Sequence, residues 1–327
     1  MFAAVIAGQS SQHVWEFLEL PAGARNGALG GFGIAVCDSD LSLSFDNPAH
    51  LGQTTDRTLA LNYQNRFRDV NIASAAYGYN PDDKDFMAFG MRYIDYGKFD
   101  GRSVTDVAEG TFTAKDMVAN VTYARWFSPH LSAGVAAKII YSVYEKYQSV
   151  GMAFDFGFSY HNAEKGVTAA LVLRNAGFQI KGLYSVGSKQ HTESLPLNLM
   201  AGVSYKLPKA PLRFSFTYHN LEKWNLSYAT TDAVKDEMAN KSKGLQGLDM
   251  FFRHTIWSVE VIPTSYLRFA VSYNHQLHRD MAISDHRSIA GFAFGAGFSV
   301  KMVSVDFSIT PYQAGSICYN ASVSIKI

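Results

Sequence analysis

Little of this sequence is charged. Asp, Glu, Lys and Arg make up 17% of its 327 residues, where a soluble domain has about a quarter. The net charge of +1 leaves no electrostatic footprint for nucleic acid. Cys37 and Cys318 are the two cysteines, too few and too far apart for a disulfide framework or a metal site. A single bridge between them and two unpaired thiols both remain open. No run of eighteen apolar residues exists, which excludes a spanning helix. Catalytic patterns are missing as well. The ten histidines, among them His13, His50, His130, His161, His191, His219 and His254, form no H-x-x-x-H pair. No G-x-S-x-G element occurs, and the adjacent Asp285-His286 is a loop pair. Gly27, Gly30, Gly31 and Gly33 do not complete G-x-G-x-x-G, and no βαβ pattern surrounds them. The expectation is a chain that is not an enzyme and holds no cofactor or metal.

What is present is alternation. Aromatics reach 14%, there are 26 glycines, and mean hydropathy is -0.06. From about Thr58 to Ile327 apolar and polar residues alternate one for one. The last segment sets Ile317, Tyr319, Ala321, Val323, Ile325 and Ile327 against Cys318, Asn320, Ser322, Ser324 and Lys326. Strand side chains point to opposite faces with period two, so such a segment separates an oily environment from a wet one. About fourteen segments of this kind follow one another with no helical pattern between them. Their apolar faces are rich in aromatics. The fold expected is all-β: a transmembrane antiparallel β-barrel of about 14 strands, which bacterial barrels build in even numbers.

The connections sort by length. Residues 80–85, 128–130, 161–166, 207–211, 262–265 and 301–302 are short. Asp95 to Asp116, Asn175 to Pro196, Asn220 to Leu248 and Gln276 to Arg287 are long. Outer-membrane barrels have short periplasmic turns and long extracellular loops, so both termini are expected in the periplasm. Arg92, Lys138, Asp155, Arg174, Arg213, Glu260, Arg268 and Asp306 have inward parity. Buried charges persist when paired or hydrated, so salt bridges or water are expected among them. Mixed signs disfavour a strongly selective pore.

Residues 1–10 look like the end of a signal peptide without its basic region, or a frayed terminus. Residues 11–56 do not alternate and are rich in small residues, as a plug inside the lumen must be. Residues 57–327 form the barrel. Asn47-Pro48 marks a turn or a helix start with Pro at its first position. Of the long loops, 220–248 exceeds what strand closure needs. It carries Trp224, Tyr228, Met238 and Leu245 among polar residues; aromatics and Met are favoured at interfaces, so it is the first candidate for a docking surface.

The plug segment carries a resemblance. Phe17-Leu18-Glu19-Leu20-Pro21, Ala24-Arg25, Gly27-Ala28-Leu29-Gly30-Gly31, Asp38, Asp40 and Asn47-Pro48-Ala49 precede the fourteen strands. This arrangement is similar to the fatty-acid-transporter-like (FadL-like) barrels. Within them it resembles the PorQ-type barrels of the Bacteroidetes type IX secretion system. The specific motif is confined to these forty-odd residues, and the final Ile327 departs from the aromatic that ends many outer-membrane barrels. The resemblance implies an attachment-complex component in the outer membrane, among lipid and lipopolysaccharide. It would hold a PorZ-like surface protein near PorV and the sortase PorU. The wider group implies an alternative, a channel for hydrophobic small molecules, which needs an apolar pocket between plug and wall.

Overall fold

The computed structural model describes residues 13–67, 69–102, 108–186, 189–226, 243–281, 288–313 and 316–327. The possible signal remnant at 1–10 therefore lies outside the described residues. Fourteen strands close into one antiparallel barrel. They are β1 (Thr58–Arg66), β2 (Val70–Tyr79), β3 (Asp85–Arg102), β4 (Ala108–Ser128), β5 (Leu131–Tyr144), β6 (Tyr147–Asn162), β7 (Val167–Lys181), β10 (Asn198–Lys206), β11 (Leu212–Tyr218), β12 (Thr255–Thr264), β13 (Leu267–Asn274), β14 (Phe292–Val300), β15 (Val303–Gln313) and β16 (Ser316–Lys326). A two-stranded hairpin, β8 (Ser185–Val186) with β9 (Lys189–Gln190), stands apart from the wall. The barrel closes where β1 pairs with β16, Thr58 opposite Lys326. Closure leaves no edge strand, the condition for a sheet to live in lipid.

Register places the apolar alternation outward. Leu61, Tyr63, Phe89, Phe156, Phe214, Trp257, Phe307 and Tyr319 are exposed on the outer surface, while Asn62, Gln64, Asn320 and Ser322 are buried within. So large an apolar belt on a soluble monomer would be an aggregation surface; on a closed barrel it meets hydrocarbon. Leu171 sits mid-wall, paired with Phe158 and Ala201. Replacing it with Arg is expected to cost about 2–4 kcal/mol, as for a cation at the bilayer midplane. Reversible unfolding from vesicles measures this, and an unchanged free energy would contradict the lipid-facing assignment.

The wall is uneven. β3 to β7 run 14 to 21 residues, whereas β10 to β14 run 7 to 10. This corrects the loop expectation in two respects. Asp95 to Asp116 is mostly ladder, because β3 continues to Arg102 and β4 resumes at Ala108. A ribbon that stands clear of the rest of the wall sees water on both faces, so no alternation marks it in the sequence. Nor is every connection at that rim long: residues 145–146 alone join β5 to β6. That rim, away from the chain end at Ile327, is the distal one.

Cys37 and Cys318 are free thiols and do not bridge. Three helices complete the described chain. They are α1 (Ala24–Ala28) in the lumen, and α2 (Lys243–Arg253) and α3 (His275–Asp280) above the low side of the wall.

Candidate functional site

The lumen is filled by the chain's own residues 13–57. This segment is a string of tight turns: 3-10 turns at Glu16–Glu19, Leu41–Phe45, Pro48–His50 and Gln53–Thr55, with α1 between. Local chemistry starts two of them. Asp40 accepts a hydrogen bond from the Ser42 amide at 2.9 Å. Asn47 accepts one from the Ala49 amide at 3.0 Å, with Pro48 at the first position of the turn. Gly27 and Gly30 let the segment lie close to the wall. A Cβ on Gly27 would sit 2.7 Å from Asn320 Nδ2, and one on Gly30 2.5 Å from Ile256 Cγ2. Gly30 and Gly31 also take positive φ, 86° and 111°. The wall yields in the same way: a Cβ on Gly134 or Gly157 would strike the Asn47-Pro48-Ala49 turn.

Polar side chains of the wall satisfy the plug's backbone, which irregular structure requires when buried. Ser322 Oγ accepts from the Ala24 amide at 2.7 Å. Ser132 Oγ donates to Ala49 O at 2.8 Å, Ser204 Oγ to Ala35 O at 2.8 Å and Trp126 Nε1 to Leu51 O at 2.7 Å.

Charges lock plug to wall. The Arg25 guanidinium binds Asp38 in bidentate fashion, at 2.6 and 2.5 Å, and turns its Nε and Nη2 to Glu260 Oε1 at 3.2 and 3.0 Å. Arg213 of β11 reaches the same two carboxylates at 3.2 and 2.8 Å. Two guanidiniums and two carboxylates thus form a neutral knot with α1 on one side and β11 and β12 on the other. Arg174 donates to Leu18 O at 2.9 Å and pairs with Asp46 at 3.4 Å, while Asp46 also accepts from Asn26 and the Gly33 amide. Arg92 has no carboxylate partner among the described residues; it donates to Leu20 O at 3.1 Å and lies 5.7 Å from the Phe45 ring centroid. Lys138 pairs with Asp155, and Arg268 with Asp306, both at 2.5 Å. All eight inward charges of the sequence analysis therefore lie inside the barrel, seven of them in ion pairs and Arg92 on backbone carbonyls. The ion pairs also recruit Arg25 and Asp38 in the knot and Asp46 beside Arg174, which strand parity could not single out because they lie outside the strands.

Towards the distal rim the lining turns apolar, contrary to a uniformly polar interior. Val70, Ile72, Ile94, Val118, Ile140 and Leu195 surround Val14, Trp15, Phe17 and Leu18 of the plug. Trp15 Nε1 donates to Ser142 Oγ at 2.7 Å. The plug's own side chains thus fill the apolar slot. Between this slot and the charges a cavity of about 20 Å³ remains, lined by Leu18, Phe45, Arg92, Val118, Asn120, Lys138 and Arg174. That is room for one water molecule and for no larger solute.

The docking candidates are dispersed. Trp224 is exposed and stacks on His254 at 5.6 Å. Tyr228 and Met238 lie outside the described residues. Leu245 belongs to α2, a helix that the loop reading missed. Asp249 of α2 is half-buried; burial pushes its carboxyl up, but the Arg253 hydrogen bond and the Arg279 charge outweigh this and hold it below the ordinary carboxylate value. No group of acidic, His or Cys side chains fit to hold a metal occurs among the described residues.

No family model and no curated protein matches the chain. Solved structures do. It is similar to the Ralstonia pickettii toluene transporter TbuX at 12% identity, covering 94% of this chain and 97% of that one, with a TM-score of 0.53. It is similar to the CymD monoaromatic hydrocarbon channel at 12%, covering 94% and 98%, with a TM-score of 0.56. A Pseudomonas aeruginosa FadL homologue matches at 10%, covering 93% and 98%, with a TM-score of 0.51. At these identities the likeness is one of fold: a closed antiparallel barrel, here of fourteen strands.

Proposed function

We propose that this chain is a non-enzymatic outer-membrane barrel, closed to solutes at rest, that anchors a surface protein through its distal rim. The observation that carries this reading is the filled lumen. An ionic knot and an apolar seat hold the plug, and the cavity between them is about 20 Å³. An anchor needs a rigid wall and accessible outer loops, and a plug held in this way stiffens the wall from within. The orientation that fits is termini in the periplasm and the rim with Trp224 and the tall β3–β4 ribbon outside. On the resemblance of the plug motif, the partner is a PorZ-like protein of the type IX attachment complex, with PorV and PorU nearby. Deleting residues 220–248 is expected to release that partner from intact cells, read by crosslinking and pull-down, while the barrel still inserts. Full retention of every surface partner would overturn the assignment.

The second reading, a channel for hydrophobic small molecules, is the one that the comparisons favour; none of them bears on secretion. Its structural support is the apolar slot under the distal rim, which an incoming molecule would enter by displacing Trp15, Phe17 and Leu18. Uptake of labelled long-chain lipid or toluene that collapses in a null strain would select this reading over the anchor.

A further inference from the structure

Helix α2 is built inside out. Leu248, Phe251 and Phe252 stand three and four residues apart and share one face. That face is the exposed one: they are 57%, 42% and 42% accessible. Its charged neighbours are turned inward. The Arg253 side chain is 5% and the Asp249 side chain 21% accessible. Arg253 binds Asp249 at 3.1 Å and Asp280 of α3 at 2.9 Å, and Asp249 also meets Arg279 at 3.2 Å. Met250 packs on the inner side, its sulfur accepting from the Leu226 amide at 3.3 Å. A helix on a water-exposed surface shows the opposite order, apolar in and charged out.

The apolar face continues the lipid-facing belt of the barrel. Phe251 lies 5.6 Å from Tyr218, the last outward residue of β11 after Phe214 and Phe216. Phe216 packs on Trp257 at 4.7 Å. Phe252 reaches His275 at 5.9 Å, which in turn meets Tyr273 at 5.9 Å, and Tyr273 packs on Phe292 at 4.9 Å. The wall is low on this side. The ten residues of β12, at about 3.3 Å each and tilted by about 40°, rise about 25 Å, the height of a barrel's apolar band. The helix therefore sits at the level where hydrocarbon gives way to headgroups.

We propose that α2 is an interfacial helix whose Leu248, Phe251 and Phe252 insert among the acyl chains of the distal membrane leaflet. Its Asp249–Arg253 face ties it to α3 over the barrel mouth. The bound partner is membrane lipid, and the helix fixes the depth and rotation of the low wall.

Collision accessibility of a nitroxide tests this on the full chain, with Cys37 and Cys318 replaced by Ala. Labels are placed at Leu248→Cys and, in a second protein, Phe252→Cys. Leu171→Cys serves as the lipid reference and Asp82→Cys, in the β2–β3 turn, as the water reference. The vesicles contain phosphatidylethanolamine and phosphatidylglycerol and no other protein. At both α2 positions the ratio of oxygen to aqueous nickel-complex collisions is expected to match that at Leu171→Cys, several-fold above that at Asp82→Cys. A ratio equal to the turn's would show the face bare in water, the state of a surface awaiting a protein, and would sink the proposal. Heat-modifiable gel mobility of each labelled protein confirms that the barrel is folded.

Discussion

Arg25→Ala is expected to unseat the plug and turn a closed barrel into a conducting one. The Arg25 side chain is 4% accessible and faces Asp38 and Glu260, the latter 1% accessible. Removing one partner from a buried ionic group leaves charge without compensation, at a cost of about 3–5 kcal/mol. Arg213 still faces both carboxylates, so the low end applies. About 3 kcal/mol is a factor of roughly 150 in the equilibrium between seated and unseated plug. Planar-bilayer recordings should show current steps that the unaltered barrel lacks, and protease should cut within residues 13–57. The double variant Arg25→Ala with Asp38→Asn restores local neutrality through Arg213 and Glu260 and should recover most of the closure. If the single variant stays as tight as the parent, the knot is not what holds the plug.

Trp15→Ala is expected to show the next largest effect, and at the other end of the lumen. Its ring is buried among Ile94, Val118 and Ile140 and presses on Gly151, where a Cβ would come within 2.3 Å of the indole. Emptying that seat should cost about 3–5 kcal/mol, as large aromatic truncations in packed cores do. Apolar cavities stay dry and accept small aromatic molecules, so added toluene should recover part of the loss in thermal unfolding of the variant. The parent protein separates the two functional readings. An anchor shows no toluene-dependent shift, because its slot is full. A channel shows one, because the slot exchanges Trp15 for its ligand.

Where outer residues met lipid and inner ones did not, the structure was legible from the chain. Each of the fourteen strands carries its own record of two environments, so Leu59-Leu61-Tyr63 or Phe294-Ala296-Phe298 could be placed without knowing their neighbours. The same parity put Glu260 and Arg213 inside. It could not say that their partners are Arg25 and Asp38, since ion pairs 235 and 175 residues apart leave no periodic trace. Nor could it see α2, whose apolar face points the unusual way.

The sequence by itself thus determined a fourteen-stranded membrane barrel and a non-alternating segment that plugs it, because period-two burial is a local property of each strand. Tertiary structure alone decided that residues 13–57 are tied to the inner wall by ion pairs, that the wall is tall on one side and low on the other, and that a helix lies on the low rim. Those depend on which distant residues meet and on where water ends and lipid begins, and no short stretch of sequence contains either.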